Sequence, residues 1–252
     1  MLPKTPSFRL DGRTALVTGA GRGLGIAGAA ALAEAGAEVT LCARTLPELE
    51  AVAAEIIARG GKAHTLQVNL RNTDELKAAL KDKPFDILLN NAGNNVPKPF
   101  TEITEADYDK VLDLNLKSAY FVAQAVAQSM IAAGRGGSII HTSSQMGFVG
   151  GATRTLYCAS KWGIEGLNKA MALDLAPYKI RSNTIAPTFV ETAMTKPFFE
   201  NKTFRDDVMS KIKLGRLGQL EDIMGAIVFL ASDAASLITG TSIVIDGGWT
   251  AE

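Results

Sequence analysis

The chain is poor in the residues on which several kinds of function depend. Two cysteines, Cys42 and Cys158, and two histidines, His64 and His141, stand in 252 residues. They are too few and too scattered for a disulfide framework or a Cys/His metal cluster, so no metal site is expected and a reducing compartment is. Net charge is also missing: 26 basic residues offset 26 acidic ones, and no overall field draws the chain to nucleic acid or an anionic membrane. No uncharged apolar run approaches the ~18 residues of a membrane span. The opening Met1 to Phe8 has no apolar core of a signal peptide, and the expectation is a cytoplasmic, soluble protein. No Pro/Gly/Ser-rich linker or internal repeat divides the sequence. Hydrophobic residues make up 47%, enough to exclude disorder and to build one domain over residues 1–252.

What is present is a regular alternation. Ala15-Leu16-Val17 is a β-type run that breaks at Thr18-Gly19, and Leu24 to Ala35 is Ala-rich, helical in propensity and stopped by Gly36. The pattern repeats with strands at Glu38 to Ala43, Ala63 to Val68 and Phe85 to Leu89, separated by helices at Leu46 to Ala58 and Thr73 to Lys81. Thr104 to Asp107 has capping-box form and opens a helix reaching about Ala133. Ser138 to His141, Ile180 to Ile185 and Ser242 to Asp246 continue as strands, with helices at Tyr157 to Leu175 and Asp222 to Ala231. About seven strands interleaved with helices predict an α/β fold, a doubly wound parallel sheet of the Rossmann type. The least regular stretch, about 187–217, mixes aromatic, charged and proline residues and reads as a structureless cover or binding loop.

Thr18 to Gly25 follows a strand and opens a helix, where backbone N–H groups and the helix N-terminus can hold a pyrophosphate. The formal pattern beginning at Gly23 starts inside the helix, so the preferred register is Gly19-x-x-x-Gly23-x-Gly25, with Arg22 and Leu24 between the glycines. About 20 residues on, a fold selecting NAD places an acid on the ribose 2′-hydroxyl. Here the second strand ends Leu41-Cys42-Ala43-Arg44-Thr45 with no acid. Arg44 and Arg22 could instead pair with a 2′-phosphate, which predicts a preference for NADP(H), with NAD(H) possible.

Tyr157 and Lys161 are four residues apart at the start of a helix, on one face and close enough to interact. A phenol near its ordinary pKa of ~10 is a poor base at neutral pH. A neighbouring ammonium lowers that pKa, and the pair is expected to transfer protons as a unit.

Taken in order, the glycine turn, Asn90-Asn91-Ala92-Gly93, Asn115, Ser143-Ser144, Tyr157 and Lys161 resemble the short-chain dehydrogenase/reductase family from Gly12 to Gly248. The resemblance implies hydride transfer between NAD(P)H and a carbonyl or alcohol. It makes Tyr157 the general acid/base, with Lys161 on the nicotinamide ribose. It also implies that Ser144 holds the substrate oxygen and that Asn115 anchors a relay water. Asn69 would lie at the adenine, Asn91, Ala92 and Gly93 beside the cofactor, and Pro187 to Thr192, Val190 included, against the nicotinamide. Two departures stand out: Asn69 replaces a common Asp, and Pro187-Thr188 replaces Pro-Gly, putting a β-branched residue where a freer backbone is usual. The C-terminal Thr239 to Trp249 is similar to a strand that packs at tetramer interfaces in this family, which implies a homotetramer; Trp249 reads equally as a packing residue.

Substrate is expected to meet Asn95, Gln145, Phe189, Ser144 and Tyr157. The amides suit a polyol or sugar-like ketone, the apolar residues a small hydrophobic one. Within the family the chain resembles both sugar-acid oxidoreductases and 3-oxoacyl carrier-protein reductases. The alternative to an enzyme is a nucleotide-sensing binding protein on the same fold, whose sign would be loss of Tyr157 or Lys161.

Overall fold

Strand and helix alternate from Thr14 onward in the computed structural model, which describes residues 2–81, 83–192 and 195–251 and, within that range, leaves out the side chains of Pro197 and Phe198. The strands are β1 (Thr14–Thr18), β2 (Glu38–Ala43), β3 (Lys62–Gln67), β4 (Ile87–Asn90), β5 (Gly137–Thr142), β6 (Ile180–Pro187) and β7 (Ser242–Ile245). They form one parallel sheet in the order β3-β2-β1-β4-β5-β6-β7. Flanking it are α1 (Leu24–Glu34), α2 (Leu46–Ala58), α3 (Thr73–Leu80), α4 (Glu105–Leu112), α5 (Ser118–Ala133), α6 (Thr155–Leu175), α7 (Lys202–Lys211) and α8 (Glu221–Ala231). This is the Rossmann-type α/β sheet that the alternation predicts.

Helices on both faces explain why the central strands read as near-continuous apolar runs. Register sorts their side chains: Leu16 lies beside Leu88 and Leu88 beside Ile139. Those three face one core with Val122 and Val126 of α5. Their sequence neighbours Val17, Leu89 and Ile140 face the other core with Leu32 of α1 and Ile227 of α8. Each such side chain, fully removed from water, contributes roughly 1.5–3 kcal/mol before entropy is counted.

The helix starts follow local chemistry. Asn72 accepts from the Asp74 and Glu75 amides at the head of α3, and Thr104 forms with Asp107 the reciprocal capping box predicted for α4. Strand order reverses between β1 and β4, and such a switch opens a crevice at the carboxyl ends of the strands.

Two expectations are corrected. The helix predicted from Thr104 to about Ala133 is interrupted: residues Asp113–Lys117 form a wide π turn between α4 and α5. The stretch 187–217 is not structureless, because it carries a short 3₁₀ segment at Lys196–Glu200 and the whole of α7; residues 193 and 194 within it lie outside the described residues. Asn201 starts α7 by accepting a 3.1 Å hydrogen bond from the Phe204 amide, a capping signal the local irregularity obscured. Strand ends differ from the sequence reading by one or two residues. The two-residue differences are the end of β6, which runs on to Pro187, and the start of β4 at Ile87, before which the Asp86 carboxylate accepts from the Thr14 amide at 2.9 Å.

Candidate active site

A cleft of about 710 Å³ lies at the carboxyl ends of β1, β2, β4, β5 and β6. The glycine turn forms one wall. Gly19 and Gly23 have φ of 65° and 56°, a region costly for other residues. At Gly25 a Cβ would meet the Gly19 carbonyl oxygen at 2.1 Å. Helix packing, rather than contact with the cleft, therefore demands a glycine there, and Gly25 is not part of the lining. These three positions are the predicted register. α1 has no side-chain N-cap and no acid in its first turn, so its leading N–H groups are left for an anion.

The next wall is tied to this turn. The Thr18 hydroxyl accepts from the Asn91 and Ala92 amides at 2.9 and 3.0 Å, and the Asn91 side chain donates to the Thr18 carbonyl at 3.1 Å. Asn91, Ala92 and Gly93 thus hold the two crevice lips together. At the β2 end, Arg22 and Arg44 are exposed and line the cleft. Neither guanidinium has a hydrogen-bond or ion-pair partner among the described residues. Gln67 donates to the Arg44 carbonyl at 2.9 Å, fixing its loop. Asn69 lines the same region; its Oδ1 accepts from the Arg71 amide at 3.3 Å, leaving the amide nitrogen for a ligand.

At the other end, Ser144, Tyr157 and Lys161 converge on the cleft. Lys161 is buried, lies 5.4 Å from the Tyr157 ring centroid and donates to the Thr142 carbonyl at 2.7 Å. Burial brings its ammonium down to about 8, with the Glu165 carboxylate acting in the opposite sense. The expectation of an acidified phenol is corrected in this geometry. Burial raises the Tyr157 pKa, and only the Ser144 hydroxyl and the Arg154 charge pull it back. Loss of water outweighs the lysine because the ammonium is held by Thr142 rather than by the phenol oxygen. Ser144 gives its hydroxyl proton to Gln145 Oε1 at 2.6 Å, so Gln145 orients Ser144 in addition to facing the cleft.

Asn115 is buried at the π turn and stands outside the cleft lining. Its side chain accepts from the Asn94 amide at 2.8 Å. It donates to the Asn94 carbonyl at 2.8 Å and to Ser160 Oγ at 3.1 Å. It therefore couples the loop after β4 to α6 between Tyr157 and Lys161. Both N–H donors of its side-chain amide are thereby taken up.

Pro187, Val190 and Thr192 line the cleft as expected. Thr188 causes no backbone strain: among the described residues only Thr153 and Lys179 combine a side chain with positive φ. Asn95 and Phe189 are also in the lining. The Phe189 ring belongs to a cluster, edge-on to Phe199 and Phe204 at 5.7 and 5.6 Å and stacked on Trp249 at 6.0 Å. Trp249 thus fastens the C-terminus to the wall of the site, a long-range contact the sequence does not announce. Sequence reasoning missed Glu48, Thr195 and Arg154, all of which line the cleft. Arg154 carried a signal, an arginine three residues before Tyr157 and so one helical turn away.

A parallel sheet with an uncapped glycine cradle at its switch point and a Tyr-Lys pair across the same cleft, its lysine buried, defines a dinucleotide-dependent oxidoreductase. A family model described as enoyl-(acyl carrier protein) reductase matches residues 19–250. The chain is 36% identical over 245 residues to a D-erythrulose reductase of Gallus gallus, covering 97% of this chain and 98% of that protein. It is 37% identical over 250 residues to a 2-dehydro-3-deoxy-D-gluconate 5-dehydrogenase of Escherichia coli, covering 97% and 98%. The solved gluconate 5-dehydrogenase of Burkholderia cenocepacia J2315, in complex with NADP and tartrate, is similar at a TM-score of 0.93 and 34% identity, covering 97% and 98%. The protein belongs to the short-chain dehydrogenase/reductase family and is an NAD(P)-dependent oxidoreductase. No described helix is long and apolar enough to cross a membrane.

Proposed function

We propose that the protein interconverts a ketone and a secondary alcohol with NADP(H) in preference to NAD(H). The observation carrying this is one continuous cleft with an open anion cradle and two unpaired guanidiniums at one end and the half-buried Tyr157 with the buried Lys161 at the other. The residues fit the cofactor: the uncapped α1 N-terminus with Gly19 and Gly23 for the pyrophosphate, Asn69 for the adenine and Arg44 with Arg22 for a 2′-phosphate. Asn91 to Gly93 and Pro187 to Thr192 would hold the nicotinamide half, Lys161 its ribose. When bound, the nicotinamide supplies or accepts hydride.

The chain's own groups handle the proton. The raised Tyr157 pKa keeps its hydroxyl protonated at neutral pH, the form that donates to the oxygen of a ketone being reduced. Ser144, its hydroxyl turning from Gln145 to the substrate, shares that oxygen and stabilises charge growing on it. Lys161 supplies positive charge beneath the phenol, and Asn115 is the residue that would place the water that refills the proton. A purely nucleotide-sensing role is disfavoured, because a buried ammonium without a bonded carboxylate costs stability that simple binding does not require. A homotetramer and a cytoplasmic location complete the reading, the latter in keeping with the free Cys42 and Cys158. Sedimentation tests the assembly.

Cofactor choice gives a direct test. A hydrogen bond to a charged group contributes roughly 1.5–3 kcal/mol, so NADPH should bind about tenfold to a hundredfold more tightly than NADH. Fluorescence titration of Arg44→Ala should show that gap shrinking by most of its size while NADH affinity stays within about threefold. Equal affinities in the unaltered protein would defeat the assignment. For turnover, a screen of ketones and alcohols with both cofactors, followed at the nicotinamide absorbance, tests the reaction class.

A further inference from the structure

Arg154 is the feature of the cleft that hydride and proton transfer leave unused. It is 8% exposed, lines the cleft at the head of α6 and has no acidic partner among the described residues. Its Nη1 donates to Thr153 Oγ1 at 2.9 Å and, more weakly, to the Thr153 carbonyl at 3.4 Å. Its Nε and Nη2 make no hydrogen bond among the described residues. Burial lowers its pKa, the direction expected of a cation stripped of water without an anion to replace it. A guanidinium in that state is an incomplete ion pair, and its planar fork matches a carboxylate.

The backbone holds Arg154 there at a cost. Thr153, immediately before it, is a β-branched residue at φ 59°, a conformation that persists only where the surroundings enforce it. They do: the Lys98 amide donates to the Thr153 carbonyl at 3.1 Å, and the Arg154 amide donates to the Gly151 carbonyl at 3.1 Å. Gly151 leaves room where a Cβ would come within 2.9 Å of Met146 and 3.3 Å of the Arg154 Cβ. The loop before α6 is thus folded tightly against two walls of the cleft with the arginine between them. Arg22 and Arg44 serve the glycine-turn end, and Arg71 donates to the Lys110 carbonyl at 2.5 Å. Arg154 is the cleft guanidinium next to Tyr157, one helical turn from the phenol.

We propose that Arg154 is a specificity residue that anchors a carboxylate of the substrate, so that the substrate is a hydroxy or oxo acid of the sugar-acid type rather than a neutral sugar or a hydrophobic ketone. This rests on the oxidoreductase reading of the same site and names its substrate class. The carboxylate sits on the guanidinium while the reacting carbon, a few bonds along the chain, reaches Tyr157 and Ser144. Asn95 and Gln145 are left for the hydroxyls between.

The test uses matched aldonates and alditols of four to six carbons. Their binding to the protein–NADPH complex is read by cofactor fluorescence, and their oxidation by NADP⁺ at the nicotinamide absorbance. The acids should bind at least tenfold more tightly than the alditols of equal length. In Arg154→Gln that preference should disappear, with the loss for acids in KM more than in kcat, while alditol and NADPH affinities stay within about threefold. Arg154→Lys should restore part of the preference, because it returns the charge without the fork. Acids and alditols binding alike, or failing alike to bind, in the unaltered protein would overturn the proposal. So would Arg154→Gln weakening both classes equally, which is the mark of a structural role. Failure of the oxidoreductase reading looks different: Tyr157→Phe would turn over normally whatever the preference for acids.

Discussion

Replacing Tyr157 by Phe should lower turnover at least about a thousandfold while NADPH affinity stays within about threefold. The substitution removes one oxygen and leaves the ring that lines the cleft, so the cofactor wall keeps its shape. What it removes is the hydroxyl proposed to pass a proton to or from the substrate oxygen. Positioned general acid–base groups contribute roughly 10²–10⁴-fold, and the raised pKa of this phenol suits it to the donor role at neutral pH. Its loss also leaves Ser144, once its hydroxyl turns from Gln145, to hold the substrate oxygen without a second donor opposite. Single-turnover measurements with saturating NADPH separate chemistry from binding. A variant that keeps more than about a tenth of the normal rate would take the phenol out of the mechanism. Loss of NADPH binding in step with turnover would instead assign Tyr157 to the cofactor pocket.

The legible and illegible parts of this chain divide along a physical line. Periodicity reports burial, and in a sheet covered on both faces the central strands announce themselves as apolar runs; Ala15 to Val17 and Ile139 to Ile140 need no other signal. Glycines at fixed offsets report backbone geometry, so Gly19, Gly23 and Gly25 could be placed in the right register before any coordinate. Interruptions within an element are harder. The π turn around Asn115 leaves no mark in composition, because the residues Leu112 to Lys117 read as ordinary helix and the turn is set by bonds to Asn94 and Ser160 from elsewhere. α7 was hidden for the opposite reason: its sequence is weakly apolar and buries little beyond Val208. Arg154 was passed over because an arginine in a glycine-rich loop is by default solvated. Only the tertiary structure reveals that the loop folds it inward, and the same holds for Trp249 on Phe189.

Replacing Lys161 by Met should lower the rate of ketone reduction roughly 10²–10³-fold and also change the shape of its dependence on pH. Methionine fills nearly the same buried space, so the loss is one of charge and of the bond to Thr142. A hydrogen bond to a charged group is worth roughly 1.5–3 kcal/mol, and the lysine is proposed to make one to the nicotinamide ribose while its charge, 5.4 Å from the ring centroid, acts on the phenol through space. The sign of the pH effect follows from the direction of its shift. Burial lowers Lys161 from 10.5 to about 8, so its charge is complete near pH 6 and is lost as pH rises through about 8. Tyr157 is shifted the other way and stays protonated across that window. Reduction should therefore be nearly flat from pH 6 to 7 and decline above about 8. Oxidation, which needs the deprotonated phenol, should rise with pH until loss of the lysine charge limits it. The two groups are close enough for the observed midpoints to belong to the pair. In Lys161→Met the residual reduction should lose its decline near pH 8, since the group that titrates there is gone. A decline that persists at the same midpoint would place that titration on another residue and remove the lysine charge from the rate.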